Sequence, residues 1–161
     1  MAHVFAWLEH SPLGAFTRSL GVWSYGVINL AHILGIILLF GSILILDLRL
    51  LGAWRQVPLA VLSRPTTTMA VIGFILAVCS GIPMITVKTT DYIGNPFLFI
   101  KFPAIALALV NVWLVHRSPA WQAHFTRDLL PAERRRLARG AAFSLVFWLT
   151  AITSGRMIGY W

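Results

Sequence analysis

Charge is what this sequence has least of. Only 11% of its 161 residues are Asp, Glu, Lys or Arg, against about 25% in an ordinary soluble domain. Acids are the scarcer sign: five Asp and Glu stand against 13 Lys and Arg. Cysteine is confined to Cys79, inside an apolar run, which excludes a disulfide framework and a Cys-rich metal site. No His and carboxylate cluster has the ligand spacing of a metal hydrolase. The apolar runs are continuous rather than alternating, which excludes a transmembrane β-barrel. What fills the space is a hydrophobic content of 58% and a mean hydropathy of +0.80. These figures exclude a water-soluble globular enzyme. The length suits one membrane domain over residues 1–161 and leaves no room for a second.

A helix needs about 20 residues to cross a hydrocarbon core of roughly 30 Å. The sequence predicts four such spans, at about 24–50, 66–88, 97–117 and 139–160. The fold class expected is therefore all-α, an integral membrane four-helix bundle. Ser11-Pro12 has the pattern of an N-cap followed by the first helical position. Leu13, Phe16, Leu20 and Trp23 follow at helical spacing, so a short N-terminal interfacial helix is expected at about 11–23. The first twenty residues carry no basic n-region and include Glu9, unlike a secretory signal.

Loop charge sets the orientation. Arg49, Arg55 and Arg64 follow the first span; Arg117, Arg127, Arg134, Arg135, Arg136 and Arg139 follow the third. The opposite side has Arg18, Lys88, Lys101 and Arg156. The positive-inside bias places the two Arg-rich loops in the cytoplasm and both termini outside. Trp23, Tyr25, Tyr92, Tyr160 and Trp161 then form the outer aromatic belt. The run Arg134-Arg135-Arg136 could suggest nucleic acid, but it lacks groove-reading or stacking partners. Beside a span, anionic headgroups attract it by about 1 kcal/mol per charge. The expected partner is the lipid bilayer, with no nucleic acid.

Ionisable groups inside spans are costly and mark candidate sites. His32 to Asp47 is 15 residues, or about 22 Å of helix; Lys101 to His116 is the same. The two spans run in one direction, so their polar residues fall into two levels. The outer level holds His32, Lys101 and Arg156, with Lys88 nearby and Asn29 one turn from His32. It contains no acid, and converging cations need an anion or acceptor between them. Haem propionates, a quinone carbonyl, a lipid phosphate or a small anion would serve. In the bland alternative Lys101 and Arg156 snorkel to headgroups and His32 bonds a backbone carbonyl. The inner level holds Asp47, Arg49, His116 and Arg117. A hydrogen bond from His116 to Asp47 would make a proton-uptake point or fixed ligand; otherwise the group is an interfacial ion network.

A b-type haem takes two axial side chains at one depth. His32 and His116 are roughly 20 Å apart by helical rise and cannot share one. His32, the candidate ligand to haem iron, has Met84, Met157 or His10 as possible second ligands; His116 has only His124. A His pair within the spans, usual in bis-His cytochromes, is missing. Gly35, Gly41, Gly73, Ala77 and Gly81 offer small faces for close helix packing. Ser80-Gly81-Ile82-Pro83 and Pro103 are expected to free backbone carbonyls near the outer level.

The strings Tyr25-x6-His32, Asp47-Leu-Arg-Leu-Leu-Gly52, Asn111-x4-His116-Arg117 and Gly155-Arg156-x3-Tyr160 span nearly the whole chain. In them the sequence resembles an uncharacterised family of small bacterial four-helix inner-membrane proteins, a domain of unknown function. The resemblance implies topology and bacterial origin, and no reaction. In size and topology alone the chain is also similar to b-type cytochrome and copper-resistance membrane proteins. The function expected is a small redox-linked component binding a b-type haem or quinone in its periplasmic half. Asn29, His32, Met84, Lys101, Arg156 and Met157 would form the site. The alternatives are a carrier or channel for a small anion, and a non-catalytic anchor or assembly subunit for a periplasmic or respiratory protein partner.

Overall fold

The computed structural model describes residues 7, 10–19, 21–87 and 93–161. Glu9, Leu20, Lys88 and Tyr92, singled out above, lie outside the described residues. The helices are α1 (Pro12–Ser19), α2 (Gly21–Leu51), α3 (Leu59–Val87), α4 (Pro96–His116), α5 (Pro119–Ala123) and α6 (Pro131–Met157), followed by a 3-10 turn at Ile158–Tyr160. No strand occurs among the described residues. The chain is all-α, and α2, α3, α4 and α6 contribute four segments long and apolar enough to cross a membrane, the makeup of a four-helix bundle. It is a multi-pass membrane protein.

The helix ends follow local chemistry. Ser11 does cap α1: its hydroxyl accepts the Gly14 N–H at 3.2 Å. Helix α1 stops at Ser19, short of residue 23, and Gly21 takes a left-handed φ of +76° at the start of α2. Helix α2 ends at Gly52, where φ is +115° and the N–H returns to Leu48 and Arg49; glycine is the residue that adopts this geometry without strain. Arg49 ties the following turn down through the carbonyls of Val57 at 2.8 Å and Arg55 at 3.4 Å. Between α4 and α6 the chain forms the short α5, capped by Ser118. The basic run 134–136 instead belongs to the first turns of α6. There Glu133 accepts the Leu130 N–H at 2.8 Å and pairs with both Arg127 guanidinium nitrogens.

Contacts divide the chain into two compact units, through both of which α2 and α3 pass: Met1–Leu39 with Val71–Asn95, and Phe40–Ala70 with Pro96–Trp161. In the first, α2 meets α3 at glycine. A Cβ on Gly35 would fall 2.6 Å from the Ala77 nitrogen, and one on Gly73 only 2.4 Å from the Leu39 nitrogen. The backbones themselves touch. Gly41, expected on the same kind of face, has open space around it. Arg18 of α1 donates to the Thr86 and Val87 carbonyls at the end of α3, so α1 packs on that helix end.

In the second unit α4 and α6 pack together, with Leu137, Ala141, Ser144, Trp148, Ala151 and Ser154 forming the buried stripe of α6. The Asn111 side chain donates to the Gly140 carbonyl at 2.9 Å, linking the two helices. Most of that stripe is small or weakly polar, while Phe99, Val110, Phe143 and Val146 are exposed. That inversion is what a lipid solvent requires: apolar burial drives nothing there, and close approach does.

Candidate functional site

His32 stands on α2 in the first unit, its ring laid against α3. The Ala77 carbonyl, 2.8 Å away, can only accept, so Nδ1 carries a proton and donates it there. Ser80 Oγ is 3.3 Å from the same nitrogen while donating its own proton to Leu76. In the neutral ring the lone pair therefore sits on Nε2. Gly81 makes the arrangement possible, since a Cβ there would fall 2.9 Å from His32 Cε1. Pro83, two residues on, leaves α3 unbroken to Val87. Asn29 and Met84 are half-buried in this unit, and His10 is exposed.

Lys101 and Arg156 belong to the second unit and differ from each other. Lys101 is half-buried on α4, its Cε and Nζ each 3.5 Å from where a Gly155 Cβ would be. The missing side chain at Gly155 is the slot in which the lysine stem lies. Arg156, the next residue, is exposed: its guanidinium donates to the Tyr160 hydroxyl and lies 4.5 Å from that ring's centroid. Met157 is exposed. The spacing Gly155-Arg156-x3-Tyr160 thus describes a lysine slot and an Arg–Tyr pair.

The inner level is arranged differently from the expected network. Asp47 is 5% exposed, and its hydrogen bond comes from the Ser144 hydroxyl on α6 rather than from His116. Its Oδ2 has no partner among the described residues. His116 stacks on Trp121 instead, with centroids 4.4 Å apart and planes 14° from parallel. Arg117 lies over Trp113 at 4.6 Å, and Arg49 serves the loop carbonyls. Ser144 has no signal in the sequence beyond its place on the small-residue stripe of α6, and it was missed for that reason.

His124 fills the cap below. Its Nδ1 donates to the Trp121 carbonyl, and its Nε2 accepts the Ser63 hydroxyl at 2.8 Å. Both nitrogens are engaged, so His124 does not supply a second ligand to a haem on His116. Burial pushes the His124 imidazole below its ordinary value of 6.5, against the opposing pull of the Trp121 carbonyl. A folded value below the unfolded one means stability is complete above pH 6.5 and is lost as pH falls through the folded value. Thermal unfolding in detergent should accordingly shift to lower temperature on acidification below about pH 6.5. His124→Gln, which cannot titrate, should show a shallower slope; identical slopes would remove His124 from the effect.

Among the described residues no three His, Cys, Asp or Glu side chains gather as a metal site. No curated protein and no solved structure matches the chain. The model of a family of unknown function, DUF6644, matches residues 4–161. With nearly its full length covered, and with the quoted strings each holding a defined contact, the chain belongs to DUF6644, a family of unknown function.

Proposed function

We propose that this protein is a small redox-linked component of the bacterial inner membrane, both termini periplasmic, that presents His32 to a b-type haem or a quinone. The carrying observation is the Nδ1–H bond from His32 to the Ala77 carbonyl. Histidines that ligate metals are oriented in this way, one ring N–H given to a carbonyl so that the tautomer and ring position are fixed. A quinol oxygen would meet the same fixed ring. Either group would supply electron transfer when bound. The chain's own part is to fix the ring, exclude water with its apolar spans and offer a donor.

Met84, a half-buried thioether of the same unit three residues along α3 from Gly81, would be the candidate second ligand. In the second unit, Lys101, held by the Gly155 slot, and Arg156, paired with Tyr160, are cations suited to an anionic or carbonyl oxygen acceptor.

Cofactor content in two variants tests the role of His32. His32→Ala should lose bound haem or quinone outright. Gly81→Ala keeps the imidazole but places a Cβ 2.9 Å from Cε1; it should lower occupancy several-fold by turning the ring. Unchanged cofactor content in His32→Ala would remove His32 from the site.

A further inference from the structure

Asp47 has no part in the His32 site and lies in the other unit. Its side chain is 5% exposed inside a membrane helix, with one hydrogen bond from Ser144 and an Oδ2 without a partner among the described residues. An ionised carboxylate in apolar surroundings needs a cation or several donors. The cations at this level of the neighbouring elements are engaged elsewhere or exposed. Arg49 on α2 holds the Val57 and Arg55 carbonyls, two residues along and on another face of the helix. Arg64 on α3 lies 5.3 Å from the Phe125 ring. On α4, His116 stacks on Trp121 and Arg117 covers Trp113. His124 binds Ser63 and the Trp121 carbonyl, and Arg139 on α6 is exposed.

Helix polarity points the same way. Asp47 lies four residues before the end of α2 at Leu51, one turn from the negative pole of the helix. An anion there is repelled by the last carbonyls, whereas a neutral acid is not. Ser144 remains a good partner for a neutral acid, because its hydroxyl donates to the carbonyl oxygen and leaves Oδ2 to carry the proton.

From this geometry we infer that Asp47 is a proton-binding site: at neutral pH it holds a proton on Oδ2, with Ser144 hydrogen-bonded to Oδ1, at the end of the second unit that carries the Arg-rich loops. Its ligand is the proton and no metal cation. The site is independent of what His32 binds, and either inference can fail alone.

Infrared difference spectroscopy of the full chain in lipid vesicles tests it. Subtracting Asp47→Asn from wild type at neutral pH cancels the other acids, Glu9, Asp91, Asp128 and Glu133. The difference should show the carbonyl stretch of a neutral carboxylic acid, with no carboxylate bands. Ser144→Ala, which keeps the acid, should move that band to higher frequency, because the carbonyl loses its donor. Should Asp47→Asn fail to fold, the band shift in Ser144→Ala and its displacement in Asp47→Glu carry the same information. Carboxylate bands in place of the acid band overturn the inference, whether or not added sodium perturbs them.

Discussion

Gly73→Ala is expected to destabilise the protein by about 3 kcal/mol or more, the upper end of what overpacking a tight interface costs. The added Cβ would meet the Leu39 nitrogen at 2.4 Å, the Gly35 carbonyl oxygen at 2.8 Å and the Leu39 Cα at 2.9 Å. All three are backbone atoms, so no flexible side chain can swing aside and the helices must separate. Separation is serious in lipid, where the apolar faces of α2 and α3 gain nothing from meeting each other rather than acyl chains. What holds the pair is close backbone approach and the His32 bond to Ala77. Gly41→Ala is the control: it lies in α2 with nothing within 4 Å of an added Cβ, and alanine is favoured over glycine in a helix by about 1 kcal/mol. Thermal unfolding in one detergent should therefore show a large loss at residue 73 and none at residue 41. Equal behaviour of the two variants would refute the backbone contact.

Trp121→Ala should cost about 3–5 kcal/mol, the usual range for deleting a buried aromatic ring. Trp121 is 5% exposed and sits in a cluster with Leu59, Ala120 and Leu137, with Leu46, Leu50, Val115 and Leu129 around it. Its ring also carries His116 on one face and meets His124 and Phe125 at centroid distances of 4.6 and 6.3 Å. Removing it takes the stacking partner from His116 and the packing from the cap beneath α3 and α6. Besides lowering the unfolding temperature, the variant should expose the loop between α4 and α6 to limited proteolysis. Wild-type resistance to protease in that loop would contradict the structural role assigned to the cap.

The membrane character and the four apolar helices were legible because continuous apolar runs and scarce charge admit few other answers. Helix packing was partly legible. Gly35, Gly73, Ala77 and Gly81 stood out as small residues among bulky ones, and all four lie at the α2–α3 contact, whereas Gly41 looked identical in sequence and faces open space. The difference is rotational position on the helix, which one isolated glycine does not encode. Helix ends were less legible. Helix α6 starts at Pro131 rather than near 139 because Pro131 and the Glu133 cap begin it outside the apolar stretch.

The candidate site shows a similar division. The string Asp47-Leu-Arg-Leu-Leu-Gly52 resolves into a buried acid, an arginine that closes the turn and a glycine that ends the helix. Asn111 resolves into a link to the Gly140 carbonyl. Depth arithmetic placed Asp47 and His116 at one level, but level alone does not fix azimuth. His116 turned to Trp121 because a stacked aromatic face was available five residues on, and Asp47 turned to a serine with no distinguishing sequence signal. The backbone carbonyl that holds His32 was foreseen only as the bland alternative, and it now carries the tautomer argument for the redox reading.

The optical spectrum of the purified wild-type protein, with an organic extract of the same sample, tests that reading most directly. Protein produced with ample haem and a native quinone pool should show either a Soret band with a reduced-minus-oxidised change, or close to one quinone per chain in the extract. A sample with neither, folded by its thermal transition, would contradict a cofactor role for His32.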